Sequence, residues 1–369
     1  MKFSVSRETL LRPLSIMVGV VARRPTLPIL AHLRIEANEE GVKLTGLDLE
    51  VELTWQLNLH KLDVGGSITV PAKKLSDICR SLSEGSLLEF SLDDQRVVVK
   101  SGRSRFVLAT LPSSEFPSIQ LSPIRHQVAL PQSQLLNLIR RNDFAMARQD
   151  VRFYLNGMYF ELATNRLRAV ATDGHRLAMA DAAVQIGEVE KSSMIVPAKA
   201  VNDLAKLLDE IEEPVTLIFG EQHFQVNMPN ATFVSKHIEG RYPDYEQVIP
   251  RQSDKLVVCD RLELRQMLSR ISILANEKLL GIHLQLTENT LTLIAKNPDQ
   301  EEAEESININ YQGEPLDIGF NVGYLVDVMD NIGDQVEEVQ IALSSPTSSA
   351  LIQAAGGGDA FYVVMPMRL

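Results

Sequence analysis

The sequence of 369 residues contains only two cysteines, Cys79 and Cys259, far apart and without motif spacing. This scarcity excludes a disulfide-built scaffold and indicates a reducing, cytoplasmic compartment. No apolar run reaches the roughly 18 residues that a transmembrane helix needs. The first residues alternate like a β-strand and lack the apolar region of a signal peptide, so we expect no export signal.

Signatures of catalysis and of metal binding are also missing. The seven histidines stand singly, and no Cys-x-x-Cys, His-Glu-x-x-His or serine-hydrolase pattern occurs. The glycines at 356–358 lack the Lys-Ser/Thr of a phosphate loop and predict a hairpin turn instead. We therefore expect no metal and no cofactor.

Charge is present but unevenly spread along the chain, whose net charge is −12. Residues 1–125 carry 16 basic and 14 acidic side chains, whereas residues 253–369 carry 7 and 18. An acidic total argues against nucleic-acid binding, but this asymmetry favours head-to-tail association or acids confined to one face.

One pattern occurs three times at a spacing of 124 to 126 residues, which is the mark of a repeat architecture. The spacing predicts three tandem domains, at 1–125, 126–252 and 253–369. The residues that carry the register are Leu30, Leu155 and Leu279; Asp48, Asp173 and Asn297; and Pro71 with Pro197.

Each repeat shows the same order of predicted elements: a strand, a helix, paired alternating strands, a second helix and closing hairpins. The second helices are predicted at 73–82, 199–211 and 322–332, and Asp260 with Glu263 predicts a capping box for the helix that opens the third repeat. The fold class is therefore α+β, with two helices packed on antiparallel sheets in each of three domains.

The stretch around Asp173, Gly174, His175 and Arg176 offers a base, an acid and a cation. An enzyme that uses Asp173, His175 and Arg176 is one interpretation, although no nucleophile stands near. The other is a turn, because Asp48 and Asn297 occupy the equivalent positions and all three side chains can bond their own backbone. The turn, with a docking role, is the favoured interpretation.

Basic residues recur on five of the six predicted helices, and helices facing one concave surface would give an acidic protein a cationic lining for phosphate. The ends of the chain are complementary, which favours a heterologous contact that closes into a ring or runs on as a filament. The residues of this predicted interface are Arg96, Arg103, Arg105, Phe106 and Leu108 in the first domain, with Ile273, Leu274, Glu301, Glu302 and Glu305 in the last.

Several segments together resemble one family, the bacterial replicative sliding clamps, which are β subunits of DNA polymerase III. The resemblance spans the whole chain, and its most specific segments lie at 24–30, 101–106, 171–177, 297–305 and 365–369. It implies a head-to-tail homodimeric ring of six domains around duplex DNA and no catalytic activity. It also implies that the replicative polymerase subunit, the clamp loader and repair polymerases dock through a short peptide motif.

The resemblance assigns roles to individual positions. Phe153 stands where the family often has tyrosine, Gln247 where it often has arginine, and Leu279 where it can have an aromatic residue. The positions matching DNA contacts are Arg24, Lys73, Gln149, Phe153 and Tyr154. The positions matching the partner-peptide cleft are Leu155, Thr172, Gly174, His175, Arg176, Leu177, Pro243, Val248, Leu279, Asn321, Tyr324, Ser349, Val363, Val364, Met365, Pro366, Met367, Arg368 and Leu369.

Three functional hypotheses follow from the sequence. The favoured one is a non-catalytic clamp on DNA; the alternatives are the enzyme described above and a repeat scaffold that does not bind DNA. The clamp hypothesis rests on the threefold repeat, the basic helices and the complementary ends.

Overall fold

The computed structural model describes residues 1–22, 25–276 and 280–369, and these residues form six α-helices and 25 β-strands. The helices are α1 (Arg7–Val20), α2 (Ala72–Ser81), α3 (Gln132–Arg140), α4 (Ala198–Leu207), α5 (Arg261–Ile271) and α6 (Val322–Asn331). The strands are β1 (Lys2–Ser6), β2 (His32–Asn38), β3 (Gly41–Leu47), β4 (Val51–Leu57), β5 (Lys61–Val64), β6 (Gly66–Pro71), β7 (Leu87–Asp93), β8 (Arg96–Ser101), β9 (Ser104–Ala109), β10 (Ile124–Pro131), β11 (Gly157–Ala163), β12 (Arg166–Thr172), β13 (Arg176–Ala183), β14 (Ser192–Pro197), β15 (Pro214–Gly220), β16 (His223–Asn227), β17 (Ala231–Lys236), β18 (Lys255–Asp260), β19 (Gly281–Thr287), β20 (Thr290–Lys296), β21 (Glu302–Asn308), β22 (Leu316–Asn321), β23 (Glu338–Leu343), β24 (Ala350–Ala354) and β25 (Ala360–Val364).

The chain divides into two compact units. Unit 1 comprises Met1–Ser133 and Lys199–His237, and unit 2 comprises Gln134–Ala198 and Ile238–Leu369. Each unit therefore joins one end of the chain to part of the middle third.

Unit 1 contains two antiparallel sheets, ordered β5-β1-β7-β8-β9 and β10-β15-β16-β17-β4-β3-β2-β6. Helix α1 begins at Ser6, whose hydroxyl oxygen accepts from the backbone N–H of Thr9 at 3.2 Å. Leu10, Leu14 and Met17 recur at helical spacing and are buried. Full burial of each such side chain contributes about 2 kcal/mol, so this face holds α1 in the unit 1 core.

Unit 2 repeats this plan, with sheets ordered β14-β11-β12-β13-β25-β24-β23-β18 and β21-β20-β19-β22. Helix α5 is capped by Asp260, which accepts from the backbone N–H of Glu263 at 2.7 Å, as the capping-box pattern predicts. Asn321 caps α6 in the same way, through the N–H groups of Gly323 and Tyr324.

The paired alternating strands predicted in each repeat are confirmed as hairpins: Ile35 lies opposite Leu44, Phe160 opposite Ala169 and Leu284 opposite Leu293. The predicted bounds of α2 and α6 are correct to within one residue. The predicted end of α4 at residue 211 is wrong, because the helix stops at Leu207. Beyond it, the carbonyl of Ile211 accepts from Ser133 N–H and that of Glu213 from Gln132 N–H, so these groups serve the start of α3.

Across the described ranges, no helix combines the length and apolarity needed to cross a membrane.

Candidate docking cleft

The centre of the site is a tight turn between β12 and β13. One carboxylate oxygen of Asp173 accepts from the N–H groups of His175 at 2.9 Å and Arg176 at 3.0 Å. Gly174 has φ +89°, a left-handed conformation that suits glycine. Asp173 is therefore a turn-former, as its position in the repeat predicts.

Corresponding turns occur at the two equivalent positions, and the one at Asn297 is one residue longer. Asp48 accepts from Glu50 N–H at 3.0 Å and Val51 N–H at 2.7 Å. Asn297 accepts from the N–H groups of Asp299 at 3.1 Å and Glu301 at 3.0 Å. The three turns confirm that the repeat extends to side-chain hydrogen bonding.

Arg176 is held from several directions at once. Its guanidinium donates to Asp173 at 3.1 Å, to Asp327 of α6 at 2.5 Å and to the carbonyl of Phe144 at 2.7 Å. It also lies over the rings of Phe144 and Tyr324, 5.1 Å and 4.5 Å from their centroids. A guanidinium fixed in this way is a structural support for the turn, since three of its N–H groups already donate to protein oxygens.

Beside this turn lies a cleft of about 210 Å³ in unit 2. Its floor belongs to a buried apolar cluster that includes Leu155, Leu177, Tyr242 and Val363. Mainly apolar walls with a few fixed polar groups suit a short peptide that presents apolar side chains. Nine of the residues assigned by resemblance line it together: Leu155, Thr172, Gly174, Arg176, Leu177, Pro243, Val248, Val363 and Met365.

Thr172 shapes the cleft mouth through two hydrogen bonds. Its hydroxyl donates to the carbonyl of Arg176 at 2.6 Å and accepts from Gly174 N–H at 3.1 Å. Nearby, Tyr242 is buried, and burial raises the pKa of its phenol. These groups stay neutral near neutral pH and hold the walls in place.

Three lining residues were missed by sequence reasoning: Arg152, Asp244 and Tyr245. The guanidinium of Arg152 forms two hydrogen bonds with Asp150 and its backbone N–H forms a third, and these lower the pKa of that carboxyl to about 2. It also donates to the carbonyl of Asp173 at 3.2 Å and covers Gly174, where an added Cβ would lie 2.9 Å from a guanidinium nitrogen. No sequence signal places Arg152 here, because its contact with Asp173 spans 21 positions.

The other residues assigned to the cleft lie around it or apart from it. His175 is exposed with its ring 6.4 Å from that of Tyr324, Asn321 caps α6, and Ser349 is half-buried before β24. Val364 is buried in β25, Met367 N–H donates to the carbonyl of Gly319, and Leu369 packs against Gly281 and Gly319. The end of the tail therefore packs on the four-stranded sheet, and Pro366, Met367, Arg368 and Leu369 are outside the lining. Leu279 lies outside the described residues.

The residues assigned to DNA contact fall into separate places. Gln149, Phe153 and Tyr154 share one loop of unit 2, where Gln149 has φ +56° and the Phe153 and Tyr154 rings meet edge-on at 5.7 Å. Phe153 is 56% exposed, so its ring is accessible from solvent. Lys73 is exposed on α2 of unit 1, and Arg24 lies outside the described residues.

Most residues of the predicted interface lie at two sheet edges, and Ile273 and Leu274 lie in the turn that follows α5. Arg103, Arg105, Phe106 and Leu108 are on or beside the edge strand β9, and Arg96 begins the neighbouring strand β8. Leu108 is buried, so it supports β9 from within. Glu302 and Glu305 are on the edge strand β21, with Glu301 just before it, while Ile273 is 76% exposed and Leu274 half-buried. Glu305 is already paired with Arg270 inside the same chain, at 2.5 and 2.9 Å.

In the described part of the chain, no group of three or more His, Cys, Asp or Glu side chains is placed to hold a metal ion.

This chain is similar to known proteins along its whole length. Three family models, for the N-terminal, central and C-terminal domains of the DNA polymerase III beta subunit, match residues 1–120, 129–244 and 246–368. A beta sliding clamp of Pseudomonas putida is 48% identical over 369 residues, with 100% of both chains covered. The crystal structure of the DNA polymerase III subunit beta from Pseudomonas aeruginosa is 48% identical, covers 100% of both chains and superposes with a TM-score of 0.96. A sliding clamp of that organism bound to griselimycin gives the same identity and coverage and a TM-score of 0.97.

Proposed function

This chain belongs to the bacterial β sliding clamp family, the β subunits of DNA polymerase III, and we propose which of its surfaces meet DNA, partner proteins and a second copy of the chain. It is a non-catalytic processivity factor that encircles duplex DNA and tethers the replicative polymerase and repair proteins. The enzymatic alternative at Asp173, His175 and Arg176 is therefore wrong, as is the scaffold that does not bind DNA.

The cleft beside the Asp173 turn is the docking site for the short peptide motif of partner proteins. The observation that carries this assignment is the convergence of Leu155, Thr172, Leu177 and Val363 on one apolar cleft. Leucine and valine walls supply the apolar contact, and the fixed Arg176 and Thr172 supply orientation. The polymerase subunit, the clamp loader and repair polymerases would share this cleft.

The DNA contacts are assigned to Arg24, Lys73, Gln149, Phe153 and Tyr154. The cations among them suit backbone phosphates, and such contacts position the protein without reading sequence. The exposed Phe153 ring offers an apolar face for a sugar or base. Its lack of a hydroxyl limits it to that kind of contact.

The dimer contact is assigned to the edge strands β9 and β21. Basic Arg96, Arg103 and Arg105 on one edge complement acidic Glu301 and Glu302 on the other, and Ile273 supplies exposed apolar surface. Two such heterologous contacts close a head-to-tail homodimeric ring. We assign the domain boundaries to 1–125, 126–252 and 253–369, and the cytoplasm as the compartment, because replication takes place there.

The docking assignment is tested with His175→Ala and a labelled partner peptide. Removing the exposed imidazole at the cleft rim should weaken peptide binding about tenfold, while light scattering still gives a dimer. His283→Ala, a histidine change on the other sheet of unit 2, should leave peptide affinity unchanged. Equal affinity of all three proteins would overturn the assignment.

A further inference from the structure

One wall of the docking cleft comes from a segment that lies outside the strands. This wall segment, residues 238–248, follows β17 and is joined to β14 by an isolated bridge, in which Ile238 N–H donates to the carbonyl of Ile195 at 2.8 Å. The cleft-lining residues of the segment are Pro243, Asp244, Tyr245 and Val248. Because the bridge holds the segment at one end, side-chain contacts must place the part that lines the cleft.

Tyr245 joins the wall segment to the sheet. Its side chain is buried in the apolar cluster of the cleft floor, together with Leu177 and Val363. Its ring centroid lies 6.1 Å from that of Tyr159 on β11. Its hydroxyl oxygen accepts from Nη1 of Arg168 on β12, at 3.3 Å. The ring therefore supplies packing, and the hydroxyl supplies a directional contact with the sheet.

Arg168 is itself oriented by an acid on the next strand. It lies directly opposite Asp181 of β13, and its Nε and Nη2 donate to the two carboxylate oxygens at 2.7 and 2.8 Å. A guanidinium is planar, so this two-point contact also fixes the direction in which Nη1 points. Side chains two positions apart share a face of a strand, so Arg168 lies on the same face as Val170 and Thr172 at the cleft.

We propose that Arg168 is a positioning residue of the docking cleft: oriented by Asp181, it holds the Tyr245 hydroxyl and so keeps the wall segment where a partner peptide meets it. Arg168 is not among the residues that line the cleft, so it acts through Tyr245. The inference rests on the docking assignment and adds one requirement to it. The wall must be ordered before the peptide arrives, because a peptide that had to order the wall itself would bind more weakly.

A second arginine of β12 provides a matched comparison. Arg166 lies two residues before Arg168, on the same face of the strand. Its Nη2 donates to Glu161 of β11 at 3.1 Å rather than to the wall segment, and Glu161 is also paired with Lys191 at 2.7 Å. Removing either guanidinium breaks an ion pair on this face, but only the loss of Arg168 also frees the Tyr245 hydroxyl.

The test is a double-mutant cycle on the full-length protein, with a fluorescein-labelled peptide that spans the docking motif of the replicative polymerase subunit. Tyr245→Phe and Arg168→Met should each weaken binding about fivefold, the usual value of one hydrogen bond. The double variant should also lose about fivefold, because both changes remove the same contact. The loss should appear in the dissociation rate, with the association rate nearly unchanged. Arg166→Met should bind like the parent protein.

Hydrogen exchange separates positioning from general stabilisation of the fold. The amides of residues 242–248 should exchange faster in Arg168→Met and in Tyr245→Phe, and at the parent rate in Arg166→Met. Tyr245→Phe alters no charge and keeps the ring, so it tests the proposal even if Arg168→Met folds poorly. Unchanged peptide affinity in Tyr245→Phe, an equal loss in Arg166→Met, or losses that multiply in the double variant would overturn the positioning role.

Thr172→Leu, which alters the cleft itself, keeps the two possible failures apart. If Thr172→Leu weakens peptide binding and Tyr245→Phe does not, the positioning role is wrong and the docking assignment stands. If the parent protein does not bind the peptide, the docking assignment is wrong and the positioning role falls with it.

Discussion

The Asp48 turn of unit 1 and the Asp173 turn of unit 2 have the same hydrogen bonds but different surroundings. Behind the Asp48 turn, Leu47 and Leu30 pack with Phe116, which is 6% exposed and lies under the guanidinium of Arg34. In unit 2, Thr172 replaces Leu47 at the equivalent position, and the space beside Leu155 is an open cleft. The backbone of the repeat is thus shared, and the side chains around it decide whether the space is core or docking site.

The docking function therefore depends on a space beside the turn that side chains fill in unit 1 and leave open in unit 2. A turn that fixes the strand ends is present in both units, so it is a requirement of the fold. The cleft depends on leaving the wall beside the turn uncovered, with a polar threonine at its mouth. Each substitution below tests one side of this comparison.

The largest effect is expected from Phe116→Ala, which would open the filled site of unit 1. Truncating a buried phenylalanine should cost about 3–4 kcal/mol of unfolding free energy, from lost apolar burial and the cavity left behind. Urea unfolding, with hydrogen exchange of the β2 and β3 amides, measures it. Phe153→Ala removes the same side chain at an exposed position and should cost under about 0.5 kcal/mol. A loss of unfolding free energy below about 1 kcal/mol for Phe116→Ala would mean that this ring does not fill the site in unit 1.

Thr172→Leu would give unit 2 the leucine that unit 1 has at the equivalent position, Leu47. It removes the two hydroxyl hydrogen bonds and places a larger side chain at the cleft mouth, so partner-peptide affinity should fall about thirtyfold, roughly 2 kcal/mol. Fluorescence anisotropy with a labelled peptide measures it. Thr164→Leu, at an exposed turn of the same unit, is the matched control. Undiminished peptide binding by Thr172→Leu would contradict the role assigned to this position.

A smaller effect is expected from Leu49→Gly. Leu49 has φ +79° at the position equivalent to Gly174, and a left-handed leucine stores about 1–3 kcal/mol of strain. Glycine relieves the strain but raises the entropy of the unfolded chain, so the net gain should be about 1 kcal/mol. A rise in the urea midpoint is the expected result. A lower midpoint would show that Leu49 contributes packing that outweighs its strain.

The smallest effect is expected from acid, through His223 of unit 1. Burial, aided by His237, lowers the pKa of His223 below its usual 6.5, and its Nδ1 accepts from Ser122 N–H at 3.1 Å. Because the unfolded state binds the proton more readily, this stability is complete above pH 6.5 and is lost as pH falls from there toward the lower folded pKa. The melting temperature of unit 1 should drop by a few degrees between pH 7 and 5, and His223→Gln should flatten that dependence. If the melting temperature depended on pH equally in the parent protein and in His223→Gln, His223 would be excluded as a source of that dependence.

The sequence predicted those features that depend on local pattern. The hairpins follow from alternation of apolar residues, and the turns at Asp48, Asp173 and Asn297 follow from short polar side chains at equal spacing. The supports of Arg176 could not be predicted, because Phe144 and Asp327 reach it from 32 and 151 positions away. The end of α4 was not predicted either, since its helical pattern continues past Leu207, whereas the carbonyls of Ile211 and Glu213 accept from the backbone N–H groups at the start of α3.

Encirclement of DNA is tested most directly by retention of the protein on a nicked duplex circle, loaded by the clamp loader and followed through gel filtration in high salt. A closed ring predicts that the protein stays with the circle and is released when a restriction enzyme linearises the DNA. Equal retention on circular and linear DNA would contradict it and would indicate ordinary groove or backbone binding.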